Sequence, residues 1–303
     1  SIFVGLDPVS VRARTDAEAW VVNQTGDSVS VVDLLTGTVT ATLRVGDEPA
    51  DVAFAGTPTR AFVSIGRTNE VLVFDPADLT ASPVSVGIMG ESPRALAVSP
   101  AGDEVYVAVF ESGNGTTIID KNAVSHGVGP YGGQNPPPNA GAGFVPDVNG
   151  SNPAAPDVAL IVRQAANGDW LDDNGGDWTD LVSGSQADKS GRPVGWTLLD
   201  HDLAVVDADT LSVSYVDTLM TNNMGLAVNP ADGRLTAVGL EATNEIRFEP
   251  NLTGTFVRVL LGLSLPDGSS KSVVDLNPHL DYSTGNVPLP TREQSLGDPH
   301  GIA

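Results

Sequence analysis

The chain has 303 residues, with 38 acidic side chains against 15 basic ones, no cysteine and four histidines. The lack of cysteine excludes disulfide scaffolds, thiolate zinc sites, iron–sulfur clusters, cysteine nucleophiles and covalently attached haem. A formal charge of −23 opposes a broad grip on nucleic acid or anionic lipid, because such binding rests on Lys and Arg displacing counterions.

Only Lys121, Lys189 and Lys271 supply ammonium groups. No apolar run approaches the roughly 18 residues that would span a bilayer, so membrane insertion is not expected. The chain opens on Ser1 with no charged-then-apolar leader, which leaves both a removed leader and a longer parent protein open. With 33 glycines, 22 prolines and short Val-, Leu- and Ala-rich runs, the composition favours many short strands joined by tight turns, an all-β class.

Three markers recur in step along the chain, and this internal repetition is its strongest signal. A proline followed by Val, Leu or Ile three residues on stands at Pro8, Pro49, Pro93 and Pro299, with Asn223-Met-Gly-Leu226 in the same slot. A second strand follows as Trp20-Val-Val-Asn23, Phe62-Val-Ser-Ile65, Tyr106-Val-Ala-Val109 and a degenerate Thr236-Ala-Val-Gly239. A third ends in an acid: Ser30-Val-Val-Asp33, Leu72-Val-Phe-Asp75, Thr117-Ile-Ile-Asp120, Ala204-Val-Val-Asp207 and Ile246-Arg-Phe-Glu249, at intervals of 42, 45, 87 and 42 residues.

The first unit can be read in full. Glu18 to Asn23, Ser28 to Asp33 and Thr38 to Val45 are strands, separated by turns at Gln24-Thr-Gly-Asp27 and Leu34-Leu-Thr-Gly37, and Gly46-Asp-Glu-Pro49 leads into Ala50 to Ala55. Gly, Asn and Asp supply the positive φ of tight hairpins, while β-branched residues suit pleated faces. Four antiparallel strands per period of about 42 residues is the arithmetic of a β-propeller blade, whose faces are buried only when neighbours stack around an axis.

The units resemble the YVTN-type propeller repeats of microbial surface-layer and periplasmic proteins. The resemblance is carried by Trp20-Val-Val-Asn23, Val29-Ser-Val-Val-Asp33 and Val45-Gly-Asp-Glu-Pro-Ala-Asp-Val-Ala53, with Val86-Gly87 and Pro93-Arg-Ala-Leu-Ala97 in the next unit. It covers residues 1–124 and about 201–260, and it keeps the signature Asn only once. It implies a propeller of four-stranded antiparallel blades, seven in the complete ring. It implies no function, since scaffolds, enzymes and electron-transfer partners share the fold.

The expected organisation is propeller blades over 1–125, a Pro/Gly/Asp-rich insertion over 126–200, and further blades over 201–303 with an extra hairpin near 257–277 and truncation at the C-terminus. Seven prolines between Pro130 and Pro156 make the first part of the insertion too irregular for ladders. Beyond it Val158 to Arg163 reads as a strand, with Gly168 to Asp173 as a hairpin partner. The 87-residue interval reads as one blade carrying an excursion of about 45 residues.

Within the insertion, Asp169 to Asp180 is the densest polar cluster, and calcium takes six to eight oxygens of this kind. The candidate calcium ligands are Asp172, Asp173, Asn174 and Asp177, although the spacing departs from the EF-hand loop. The alternative is a solvated acidic turn with Trp170 and Trp178 packed back onto the propeller rim. His126, His201, His279 and His300 are too few for a copper cluster. The repeated strand-end acids read as acceptors for the N–H groups of the following turn.

The sequence thus favours a non-catalytic, exported propeller scaffold for protein or ligand interaction at the cell surface or in the periplasm, meeting a protein partner or neighbouring copies. One alternative is an electron-transfer accessory joined to or docking a cytochrome c domain. Another is a calcium-dependent lactonase-like hydrolase.

Overall fold

A computed structural model describes residues 1–113, 115–138, 151, 153–191, 194, 196–242, 257–282, 287–299 and 301–302. Strands β1 (Pro8–Thr15), β2 (Glu18–Asn23), β3 (Ser28–Asp33) and β4 (Thr38–Arg44) form an antiparallel meander in that order. The meander is repeated by β5 (Pro49–Ala55), β6 (Arg60–Ile65), β7 (Glu70–Phe74) and β8 (Val84–Gly87).

The third unit opens with β9 (Glu91–Val98) and β10 (Glu104–Glu111), and the chain then leaves the sheet. β11 (Thr116–Ile119), β12 (Leu160–Gln164) and β13 (Trp170–Leu171) make a separate three-stranded sheet, accompanied by the one-turn helices α1 (Lys121–Val124) and α2 (Thr179–Val182). The return strand β14 (Leu203–Asp207) pairs with β10 across Val105↔Val206, and β15 (Val213–Val216) completes the blade. The fourth unit runs β16 (Asn222–Val228), β17 (Leu235–Ala242), β18 (Val257–Ser264) and β19 (Lys271–Asp275), tied to the third by one backbone bridge, Glu111↔Asn222. The described residues therefore form four blades of a β-propeller, all antiparallel.

The blades fan about their first strands: β1 packs beside β5, β5 beside β9 and β9 beside β16. Three apolar layers fill the spaces between sheets. Trp20, Val22 and Val29 meet Val52, Val63 and Ile65 between blades one and two. Phe62, Val71 and Val86 meet Leu96, Val107 and Val206 between two and three. Tyr106, Leu203 and Val216 meet Leu226, Leu235 and Leu260 between three and four. Because side chains alternate along a strand, β10 sends Val105, Val107 and Val109 to one layer and Tyr106 and Ala108 to the other. That is why its sequence is an unbroken apolar run.

Polar groups knit the first strands together. Asp51, on β5, is buried; it accepts from Ser10 Oγ at 2.5 Å and from Arg12 of blade one, and from the Leu96 N–H of blade three at 2.9 Å. The residue before each proline marker shares one unusual conformation, with φ of 56° at Asp7, 60° at Glu48, 59° at Ser92 and 44° at Asp298. The strand-end acids cap turns as expected: Asp33 accepts from the Leu35 and Thr36 N–H groups, and Asp207 from those of Asp209 and Thr210. Those hydrogen bonds hold both carboxyls below their ordinary range.

Four expectations are corrected. Thr117–Asp120 is not the third strand of a blade: it is β11 of the insertion, and Asp120 caps α1 by accepting from the Asn122 N–H. The excursion therefore begins just after β10, before residue 126, and is about twice the length read from the interval of 87 residues. The hairpin near 257–277 is no addition, since β18 pairs with β17 along eight residues and supplies the outer half of blade four with β19. Trp170 and Trp178 do not pack on the rim but join Ile119, Leu160 and Leu181 in the insertion's own core. Ile246–Glu249, His300 and residues 139–150 of the Pro/Gly-rich stretch lie outside the described residues.

Candidate functional site

A cleft of about 880 Å³ opens between the insertion and blade four. The insertion contributes Ile161 and Arg163 from β12 and Leu171 from β13, and blade four contributes Glu241, Arg258 and Leu260 from β17 and β18. Its walls are mixed aliphatic and charged, and it lies at a junction between two separately packed cores, where ligand sites are commonly found.

An ion pair spans the cleft: Arg163 Nη2 lies 3.2 Å from Glu241 Oε1. The other oxygen of Glu241 accepts the Thr221 N–H at 2.9 Å, and the Thr221 hydroxyl donates to Leu240 O and accepts from the Ala242 N–H. Glu241 is thereby fixed to its own blade while it holds the insertion. Leu198 also lines the cleft, and its N–H donates to Thr116 O at 2.9 Å. A Cβ on Gly113 would lie 2.2 Å from the Cβ of Leu198, and Gly113 has φ of +74°, so glycine is required there.

On the blade-four wall the Arg258 guanidinium lies 4.5 Å over the Tyr282 ring. The Tyr282 hydroxyl donates to Asp275 at 3.2 Å. Burial, reinforced by that hydrogen bond, pushes the phenol up to about 12.

The expected calcium ligands do not gather. Asp172 is buried and lines the cleft, yet its carboxylate accepts from the Tyr131 hydroxyl and the Asn174 and Gly176 N–H groups on one oxygen, and from Trp178 Nε1 at 2.9 Å on the other. It organises the loop between β13 and α2. Asp173 also lines the cleft. Asn174 instead donates to Pro138 O at 2.5 Å, and Asp177 accepts from the Thr179 N–H; hydrogen bonding from the Thr179 side chain, and then from its N–H, holds the Asp177 carboxyl below the ordinary range. Among the described residues no group of three or more His, Asp or Glu side chains is placed to hold a metal ion.

The three described histidines stand apart. His126 accepts from the Val128 N–H, His279 lies 3.1 Å from Ser295 Oγ, and half-buried His201 stacks on Tyr215 at 3.9 Å with Nδ1 2.5 Å from Met89 O. Arg163, Glu241 and Arg258 were not singled out by sequence. The one signal Arg163 and Arg258 carry is position, as basic residues inside apolar strands of an acidic chain, and Arg94 in β9 shares it.

No family model matches the chain, and no curated protein shows significant sequence similarity to it. Among solved structures, it is similar to the hydrazine synthase of Kuenenia stuttgartiensis, at 13% identity and a TM-score of 0.40, over 91% of this chain and 67% of that one. It is also similar to the virginiamycin B lyase of Staphylococcus aureus, at 8% identity and a TM-score of 0.36, over 90% of this chain and 73% of that one.

Proposed function

We propose that this chain is a non-catalytic propeller scaffold, exported to the cell surface or periplasm, whose recognition site is the cleft between the insertion and blade four. The observation that carries the proposal is the cleft itself: about 880 Å³, within the range of small-ligand sites, with aliphatic residues interleaved with charged and polar ones. Its two sides are pre-positioned, because the insertion has its own core and is latched by Arg163 to Glu241. The assignment to an exported compartment rests on the YVTN-type resemblance.

The test is a screen of small apolar fragments, followed through the methyl resonances of Ile161, Leu171 and Leu260. Fragments are expected to shift these three signals together and to be recovered chemically unchanged. A screen in which no fragment shifts them would overturn the assignment of the cleft, and conversion of a bound fragment would overturn the non-catalytic reading.

A further inference from the structure

The cleft holds a cation, Arg258, whose Nε has no hydrogen-bond partner among the described residues. Arg258 faces Glu241 directly across the β17–β18 ladder, the position from which a carboxylate would ordinarily take it. Glu241 is committed elsewhere, with one oxygen on Arg163 and the other on the Thr221 N–H. Arg258 lies instead against the face of Tyr282, and its Nε is buried with no hydrogen-bond acceptor among the described residues. Leaving a buried charged donor unpaired costs more than leaving a neutral one, so such groups are ordinarily satisfied by protein, water or ligand.

We propose that Arg258 is the anchor for a ligand carrying a single carboxylate on an apolar body, with the carboxylate on the guanidinium and the body against Ile161, Leu171 and Leu260. The inference rests on the cleft being a ligand site. Planar, two-pronged pairing makes guanidinium the natural receptor for carboxylate, and stacking on Tyr282 already fixes the plane of the fork. Phosphates share this affinity for arginine, but the lining decides against them. Glu111, Asp172, Asp173, Glu241 and Asp275 set five carboxylates around two guanidinia. A ligand bearing two or more negative charges would be repelled by that excess, whereas one bearing a single charge is matched by Arg258.

Three probes of one shape separate the possibilities: phenylbutyrate, phenylbutyramide and phenylbutylamine, each titrated into the full chain with the cleft methyl resonances as readout. Phenylbutyrate is expected to bind at least about tenfold more tightly than the amide, the scale of one charge-assisted pair. Arg258→Met keeps the apolar stem and is expected to erase that preference, while Tyr282→Phe, which retains the ring, keeps it. An amide or amine that binds as tightly as the acid would overturn the inference and leave the cleft as a site of another chemistry. A preference that survives in a folded Arg258→Met protein would also overturn it. Failure of all three probes to enter the cleft would sink both the inference and the functional proposal beneath it.

Discussion

Asp202 offers a sharp check on the packing between blades three and four. The side chain precedes β14 and is fully buried, and its carboxylate accepts from the Leu219 and Met220 N–H groups at 2.8 and 3.0 Å and from Asn223 Nδ2 at 3.1 Å. Burial nevertheless dominates and raises its pKa from 3.8 to about 6, with neighbouring Asp200 pushing the same way. A folded state that holds the proton more tightly than the unfolded chain gains stability from the protonated form. That gain is complete below pH ~4 and is lost as the pH rises through about 6. A shift of about two units corresponds to ~3 kcal/mol. In Asp202→Asn the titration is gone, and an amide N–H₂ is turned toward a backbone donor, at a pH-independent cost of ~1–3 kcal/mol. The measurement is urea unfolding of both proteins from pH 3.5 to 7.5, followed by tryptophan fluorescence. The stability advantage of the parent over Asp202→Asn is expected to shrink by ~3 kcal/mol between pH 4 and 7. A difference that stays flat across the range, or grows with pH, would refute the dominance of desolvation at this site.

Other outcomes follow from the same geometry. Trp20 is fully buried between blades one and two, with its ring edge-on to Phe54 at 5.5 Å; Trp20→Ala is expected to cost ~3–5 kcal/mol in equilibrium unfolding, and a loss below ~1 kcal/mol would contradict the stacking of these blades. Asp51→Ala should destabilise by ~3 kcal/mol or more by freeing the donors of Ser10 and Arg12 in blade one, the Val52 N–H in blade two and the Leu96 N–H in blade three. An Asp51→Asn protein that melts with Asp51→Ala would show that charge, not acceptor number, matters there. Because Asp172 already accepts four donors, millimolar calcium is expected to leave the melting temperature unchanged; a rise that disappears in Asp173→Ala and Asp177→Ala would restore the metal reading. Gly239→Ala is expected to unfold blade four, since its Cβ would stand 1.8 Å from Asn222 O, and a melting profile like that of the parent would place β16 and β17 wrongly.

The blades were legible because their information is local. Turn residues with positive φ, period-two apolar runs and strand-end acids all lie within one unit of about 42 residues, and the structure places Glu18–Asn23 and Ser28–Asp33 on the residues expected. The same local logic misled at Asp120. An apolar run ending in an acid that caps the next turn fits β11 and α1 as well as a blade, and its interval of 45 residues from Asp75 is a coincidence of spacing.

The sequence by itself determined the all-β class, the repeat and the first two strands of every blade, since these follow from backbone propensity and side-chain alternation over short spans. Only the tertiary structure decided that β14 completes the blade begun by β10, that the insertion carries its own core, and that Arg258 is left without its cross-strand acid. Those outcomes depend on pairing and ion-pair competition between residues tens of positions apart, where loop closure and burial set the result and no local pattern records it.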